Sequence, residues 1–123
     1  MGFVESTNIR QRPDEGYRRL FIDGPYWLWV WYDRKDGDVT GFELDRYHEV
    51  VIWKNLEGED RFEHYNTFEA PTSYSYDVFS PRFDKVARNM VEDFAARCAG
   101  SDIDEKLRLL ILNKLRLREE RIE

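Results

Sequence analysis

The strongest constraint on this chain is a series of short runs dominated by aromatic and β-branched residues, each closed off by turn residues. The runs occupy residues 17–23, 26–33, 38–46, 49–54 and 61–66. The breaks are Asp23-Gly24-Pro25, Asp36-Gly37, the Tyr47-His48 corner and residues 56–60 with Gly58. Asp-Gly between two alternating runs is the strongest short-range hairpin signal, because both central residues of a type I′ turn need positive φ. The pattern predicts a five-stranded antiparallel meander. Residues 1–16 are polar, contain Pro13 and show no period, so they read as a mobile N-terminal arm.

Beyond residue 66 the character changes. Residues 67–79, with Pro71, read as a crossing loop. After Ser80-Pro81, a cap followed by a residue suited to the first helical position, Phe83, Val86, Ala87, Met90, Val91, Phe94, Ala95 and Cys98 recur at helical spacing. Gly100 suits a helix C-terminus, and Ser101 with Asp104 suggests a partial capping box for a second helix. That helix is acidic in its first turn and basic in its last, which complements the macrodipole. Its leucines cover more than one stripe, which suits a helix sandwiched in the fold or shared with another subunit. The expected fold is therefore α+β: one domain over residues 17–123, with the sheet at 17–66 and a helical hairpin at 80–123 packed on it.

Register turns the strands into faces. A two-residue turn at Asp36-Gly37 would set Trp31 against Phe42 and Trp29 against Leu44. The first hairpin, a two-residue corner at Tyr47-His48 and a loop from Asn55 to Asp60 pair Leu20 with Trp29, Ile22 with Trp27, Leu44 with Val51, and Trp53 with both Phe42 and Phe62. One face would then be wholly apolar and carry all four tryptophans. A one-residue slip would place Glu43 or Asp45 among these rings. Four exposed tryptophans would make a patch of about 600–1,000 Å², against roughly 300–600 Å² for the largest on a typical monomer. This face is expected to lie under the helices. The opposite face would hold Tyr26, Leu28, Glu43, Asp45, Ile52, Glu63 and Tyr65, and is the expected binding surface, since tyrosine is enriched at interfaces.

Charge limits the partners. Of the 123 residues, 19 are Lys or Arg and 25 are Asp or Glu. The net charge of −6 falls entirely within residues 26–70, where five bases meet eleven acids. Nucleic-acid contact needs a basic surface, so no direct nucleic-acid partner is expected and a basic protein is the more natural one. No run is long and apolar enough for a membrane span, and the first residues lack the parts of a signal peptide. A cytoplasmic protein is expected. The single Cys98 allows no internal disulfide, and its place in the apolar stripe of its helix makes it an inert core thiol.

Motifs that carry chemistry are sparse. Glu43 and Asp45 share a strand face about 7 Å apart and could act as acid and base or hold a cation, but no His or Gly-rich loop accompanies them. Residues 33–38 surround Gly37 with acids as a calcium loop does, yet Arg34 and Lys35 interrupt the ligand positions, so a hairpin turn is expected. His48-Glu49 lacks the second His of a zinc motif, since position 52 is Ile. His64 reads as a hydrogen-bonded structural histidine. The basic end of the last helix, residues 114–121, reads as solvated because Glu119, Glu120 and Glu123 offset it. No catalytic set, cofactor fingerprint or metal site can be assembled.

The strand residues Arg18-Arg19-Leu-Phe-Ile-Asp, Leu28-x-Val30-Trp31-Tyr32-Asp33, Gly41-Phe42-Glu43-Leu44, Ile52-Trp53 and Phe62-x-His64 resemble a family of small uncharacterised bacterial proteins. Their pattern runs Asp-Leu-Tyr-Val-Trp-Tyr-Asp, Gly-Phe-Gln-Leu-Cys-Tyr-Asp, Thr-Trp. The likeness spans about residues 18–64, departs from the pattern at Tyr26-Trp27, at Glu43 and at Asp45-Arg46, and implies a bacterial source and the sheet without an activity. The chain is thus expected to be a non-catalytic, self-associating interaction domain, a homodimer. The alternatives are an acidic inhibitor docking a basic site on a nucleic-acid-handling enzyme, and a small-ligand or carboxylate-based enzyme site at Glu43 and Asp45.

Overall fold

The computed structural model describes residues 2–66 and 88–117. The class is α+β: an antiparallel sheet in sequential order, with two helices after it. The strands are β1 (Val4–Ser6), β2 (Tyr17–Asp23), β3 (Tyr26–Tyr32), β4 (Val39–Arg46), β5 (Glu49–Leu56) and β6 (Glu59–Asn66). The helices are α1 (Arg88–Cys98) and α2 (Glu105–Leu117). The crossing loop at 67–79, the helix start at Ser80-Pro81 with Phe83, Val86 and Ala87, and the chain after Leu117 lie outside the described residues.

The sheet has six strands rather than five, and the additional strand comes from the segment read as a mobile arm. Val4–Ser6 pairs with Ile22–Leu20 at the sheet edge. Phe3 is buried against Tyr26 and Phe94, with ring centroids at 5.9 and 5.5 Å. One deeply placed ring anchors a segment that is otherwise polar and too short for any period to register. Asp102, between the helices, bonds this strand at both of its neighbours: its Oδ2 accepts the Glu5 N–H at 2.8 Å, and its N–H donates to the Phe3 carbonyl at 2.9 Å. Pro13–Glu15 form a 3₁₀ turn, and Gly16 follows with φ +75° against the Tyr32 carbonyl, where a Cβ would collide.

The helices use the expected apolar residues. Met90, Val91, Phe94 and Cys98 of α1 and Leu107, Ile111, Leu112 and Leu115 of α2 are buried in one core with Tyr26, Leu28, Val30, Phe42, Leu44, Val51 and Trp53 of the sheet. Gly100 closes α1 with φ +68°. The cap of α2 is Asp104 rather than Ser101, its Oδ1 accepting the Leu107 N–H at 2.8 Å. The Ser101 hydroxyl instead accepts the Ile103 N–H in the preceding turn. Leu109 and Leu117 face outward, so α2 buries a single stripe.

Three hairpin registers agree with the sequence reading: Leu20 opposes Trp29, Leu44 opposes Val51, and Trp53 opposes Phe62. The β3–β4 hairpin does not. Trp29 opposes Glu43, Val30 opposes Phe42 and Leu28 opposes Leu44. The cause is local. Asp33 and Asp38 close the loop, with the Asp33 N–H donating to the Asp38 carbonyl at 2.9 Å and the Asp33 Oδ1 accepting the Asp38 N–H at 2.9 Å. A tight turn from Arg34 to Gly37 fits inside them, with Asp36 at φ +63°. The strands thus part at Tyr32 and Val39, and an irregularity next to Trp31 shifts the phase by one residue.

That shift exchanges the faces of β2 and β3 relative to β4–β6. Tyr26, Leu28 and Val30 go under the helices, while Trp27, Trp29 and Trp31 go to the outer face beside Glu43 and Asp45. Only Trp53 remains in the core, its ring 5.8 Å from Phe42.

Candidate functional site: the outer face of the sheet

The outer face is built from alternate residues of five neighbouring strands. Trp27, Trp29 and Trp31 form a row along β3, with Trp29 and Trp31 stacked at 6.3 Å. Trp27 is 46% exposed, and its two neighbours are half-buried. Leu20 on β2 and Val50 and Ile52 on β5 are buried yet stand apart from the core under the helices. Arg18 places its guanidinium 4.9 Å from the centre of the Trp29 ring, a cation–π contact, and also donates to the Arg10 carbonyl. Gln11 bonds the Arg18 backbone through both ends of its amide, so the segment before β2 is tied to the sheet beside the tryptophans.

A concavity of about 480 Å³ opens at one end of this face. Its walls include Trp31, Glu43, Ile52, Lys54 and Glu15. Gly41, opposite Trp31, contributes a floor without a side chain.

The electrostatic feature of the face is the carboxyl pair. Asp45 lies between Trp27 and Val50, and Glu43 lies between Trp29 and Ile52. The Oδ1 of Asp45 is buried with no donor in reach. Burial, then the neighbouring Glu43 charge, then a hydrogen bond shared with Glu43 push the Asp45 carboxyl up to about 8. A perturbed group of this kind beside a concavity marks a candidate site.

The residues expected to bind divide between the two sides. Glu43, Asp45, Ile52 and Glu63 lie on the outer face, with Glu63 exposed opposite Ile52. Tyr65 pairs with Val50, and its side chain lies outside the described residues. Tyr26 and Leu28 are fully buried on the helix side, which corrects their placement on the binding face. Trp27, Trp29, Trp31, Glu15 and Lys54 were missing from the expected set. The feature that moves the tryptophans is the irregularity at Trp31 and Tyr32, where Thr40 is the extra residue of β4, and the signal for it is Gly41 inside a strand pattern.

The helix side carries a second polar group, in which acids stand beside cations. Asp23 pairs with Arg97 at 3.1 Å, and Arg97 also pairs with Asp93 and lies 4.9 Å from the Tyr26 ring centre. The Tyr26 hydroxyl meets Arg46 at 3.5 Å, Arg46 pairs with Glu49, and Glu49 meets His64 Nε2 at 2.9 Å. Burial pushes the Tyr26 hydroxyl up to about 12, while His64 and Arg46 hold Glu49 below the usual carboxylate range against its own burial. His64 is buried on this side, in the structural role expected of it. Burial also raises the Cys98 thiol to about 11, which leaves it protonated and unreactive at neutral pH. Among the described residues no group of three or more His, Cys, Asp or Glu is placed to hold a metal ion, and no helix is long and apolar enough to cross a membrane.

The excess negative charge does not lie on the outer face itself, where Arg18, Lys54 and Arg61 balance Glu43, Asp45 and Glu63. It collects at the sheet end that holds the β3–β4 and β5–β6 turns. There Glu15, Asp33, Asp36, Asp38, Glu57 and Glu59 are exposed, against Arg12, Arg34 and Lys35. The concavity opens beside this end. Compared with models of protein families, with curated proteins and with solved structures, the chain matches none.

Proposed function

We propose that the chain is a non-catalytic, cytoplasmic interaction domain whose outer sheet face receives a basic segment of a partner protein. The observation that supports this reading is the concavity walled by Trp31, Glu43 and Glu15 beside the acidic turns. Aromatic rings attract cations through their faces, and acidic turns around the mouth would steer a basic chain toward it. A nucleic-acid-handling enzyme, with its basic groove, is one partner class of this chemistry. Binding is favoured over carboxylate catalysis because only Glu43 of the two carboxyls lies on the wall of the concavity, whereas a hydrolytic pair flanks its substrate from both sides. Isothermal titration with lysine- and arginine-rich peptides at low and moderate salt tests the reading. Saturable binding that weakens with salt and is lost in Trp31→Ala is the expected result. Absence of binding by every basic peptide, or indifference to salt, would overturn it.

A second reading, self-association, rests on α2, where Leu109 and Leu117 are 45% and 66% exposed on the side away from the sheet. The homodimer would bury them between two copies. Light scattering after size exclusion at tens of micromolar, compared with Leu117→Glu, decides it, and a monomer at that concentration removes it.

A further inference from the structure

The three tryptophans of β3 stand in different surroundings. Trp31 walls the concavity beside the acidic turns. Trp29 is already covered by the chain's own Arg18, whose guanidinium lies 4.9 Å from the ring centre and donates to the Arg10 carbonyl at 2.6 Å. Trp27, 46% exposed, stands at the other end of the row. There it opposes Ile22, and Ile22 opposes Val4, which is 63% exposed on the edge strand. Directly opposed residues stand about 5 Å apart, so Val4, Ile22 and Trp27 make a continuous apolar corner rather than the scattered single residues that any surface carries. We propose that this corner is a second anchor for the docked segment, and that the segment carries a basic run with an apolar side chain four residues beyond its last cation.

The inference rests on the binding role of this face proposed above and specifies the partner's sequence. Trp31 and Trp27 are four residues apart on one strand, a distance of about 13 Å along an extended chain. A segment lying extended along the row spans it with the same number of residues, and side chains at even spacing point to one side. Charge fixes the direction of the pattern. The exposed acids Glu15, Asp33, Asp36 and Asp38 gather at the Trp31 end, so the basic run belongs there. At the far end Val4, Ile22 and Trp27 offer uncharged surface, which an apolar side chain covers with release of water. Between the two, Arg18 already fills the place over Trp29, and its charge repels a further cation at that point.

The experiment measures fluorescence anisotropy of labelled peptides with the whole chain at low salt. The probe is Arg-Arg-Arg-Gly-Ser-Gly-Leu, made in both chain directions and left uncharged in the middle where Arg18 lies. Expected in one direction is an affinity about tenfold above that of the same peptide with serine in place of leucine. Deleting one glycine turns the leucine to the other side of the extended peptide and should abolish that gain. Trp27→Ser and Val4→Ser should each bring the ratio of the two affinities toward one. Equal affinities of the leucine and serine peptides in both directions would overturn this inference while leaving the binding role intact. So would a gain that survives the glycine deletion or Trp27→Ser. No binding by either peptide would overturn both.

Discussion

Replacing Asp45 by Asn isolates the energetic consequence of burying a carboxyl beside another carboxyl. In the unfolded chain Asp45 titrates at its ordinary value of 3.8, and in the fold it is pushed up to about 8, mainly by burial and then by Glu43. Below pH 3.8 both states carry the proton and the group contributes no difference. As pH rises from there toward 8, the unfolded state loses the proton first, so the native state is progressively disfavoured, by up to about 1.4 kcal/mol per pH unit. Taken over the whole window, the loss would approach about 6 kcal/mol. The side chain is only partly buried, and solvent screening reduces this to about 2–3 kcal/mol. Asparagine has no proton to lose, and its amide can donate to Glu43. The stability difference between Asp45→Asn and wild type should therefore grow by about 2–3 kcal/mol in favour of the variant between pH 5 and pH 9. In thermal melts this is a widening gap of roughly 6–15 °C. Urea melts followed by tryptophan fluorescence at each pH measure it directly. A difference that stays constant with pH would refute the reasoning, because the Asp45 proton would then be held no more tightly in the fold than in the unfolded chain.

Three further substitutions probe the packing. Trp53→Ser removes a ring that is 3% exposed and should cost about 3–5 kcal/mol, whereas Trp27→Ser, at 46% exposure, should cost under about 1 kcal/mol; equal costs in chemical denaturation would contradict the β3–β4 register. Arg97→Ala strands the buried Asp23 carboxylate and should cost about 3 kcal/mol, with Asp23→Asn in the same chain restoring much of it in a double-mutant cycle. Asp104→Ala, which removes the cap on the Leu107 N–H, should cost about 1 kcal/mol, while Ser101→Ala should cost less in the same urea assay.

The hairpins show how far local chemistry reaches. At Gly24-Pro25 and at Glu57-Gly58 a two-residue turn with positive φ joins strands of matched pattern, and the expected pairing of Leu20 with Trp29 and of Trp53 with Phe62 follows. At residues 33–38 two turns compete within one stretch. Asp36-Gly37 satisfies the rule for a two-residue hairpin, but Asp33 can bond across to Asp38 and close a longer loop. Both closures keep the same faces together, and the irregularity between Trp31 and Tyr32 exchanges them. Periodicity cannot foresee this, because both faces of β3 are apolar: Tyr26, Leu28 and Val30 on one, Trp27, Trp29 and Trp31 on the other. Either set can serve as core. Glu43, Asp45, Ile52 and Glu63 were legible as site candidates since they belong to β4–β6, whose phase did not change. The tryptophan row was not, since its side depends on a single residue of slip.

The order of the strands from β2 to β6 and the helical stripe around Phe94 and Ile111 were determined by the sequence alone, because each follows from contacts between near neighbours. Tertiary structure decided which apolar set the helices would cover. Tyr26 wins that place because its hydroxyl reaches Arg46 and its ring reaches Phe3, whereas an indole at the same position would have to bury an N–H without those partners. The same choice leaves Glu43 and Asp45 together among the tryptophans of the outer face, so the candidate site is a consequence of packing on the opposite side.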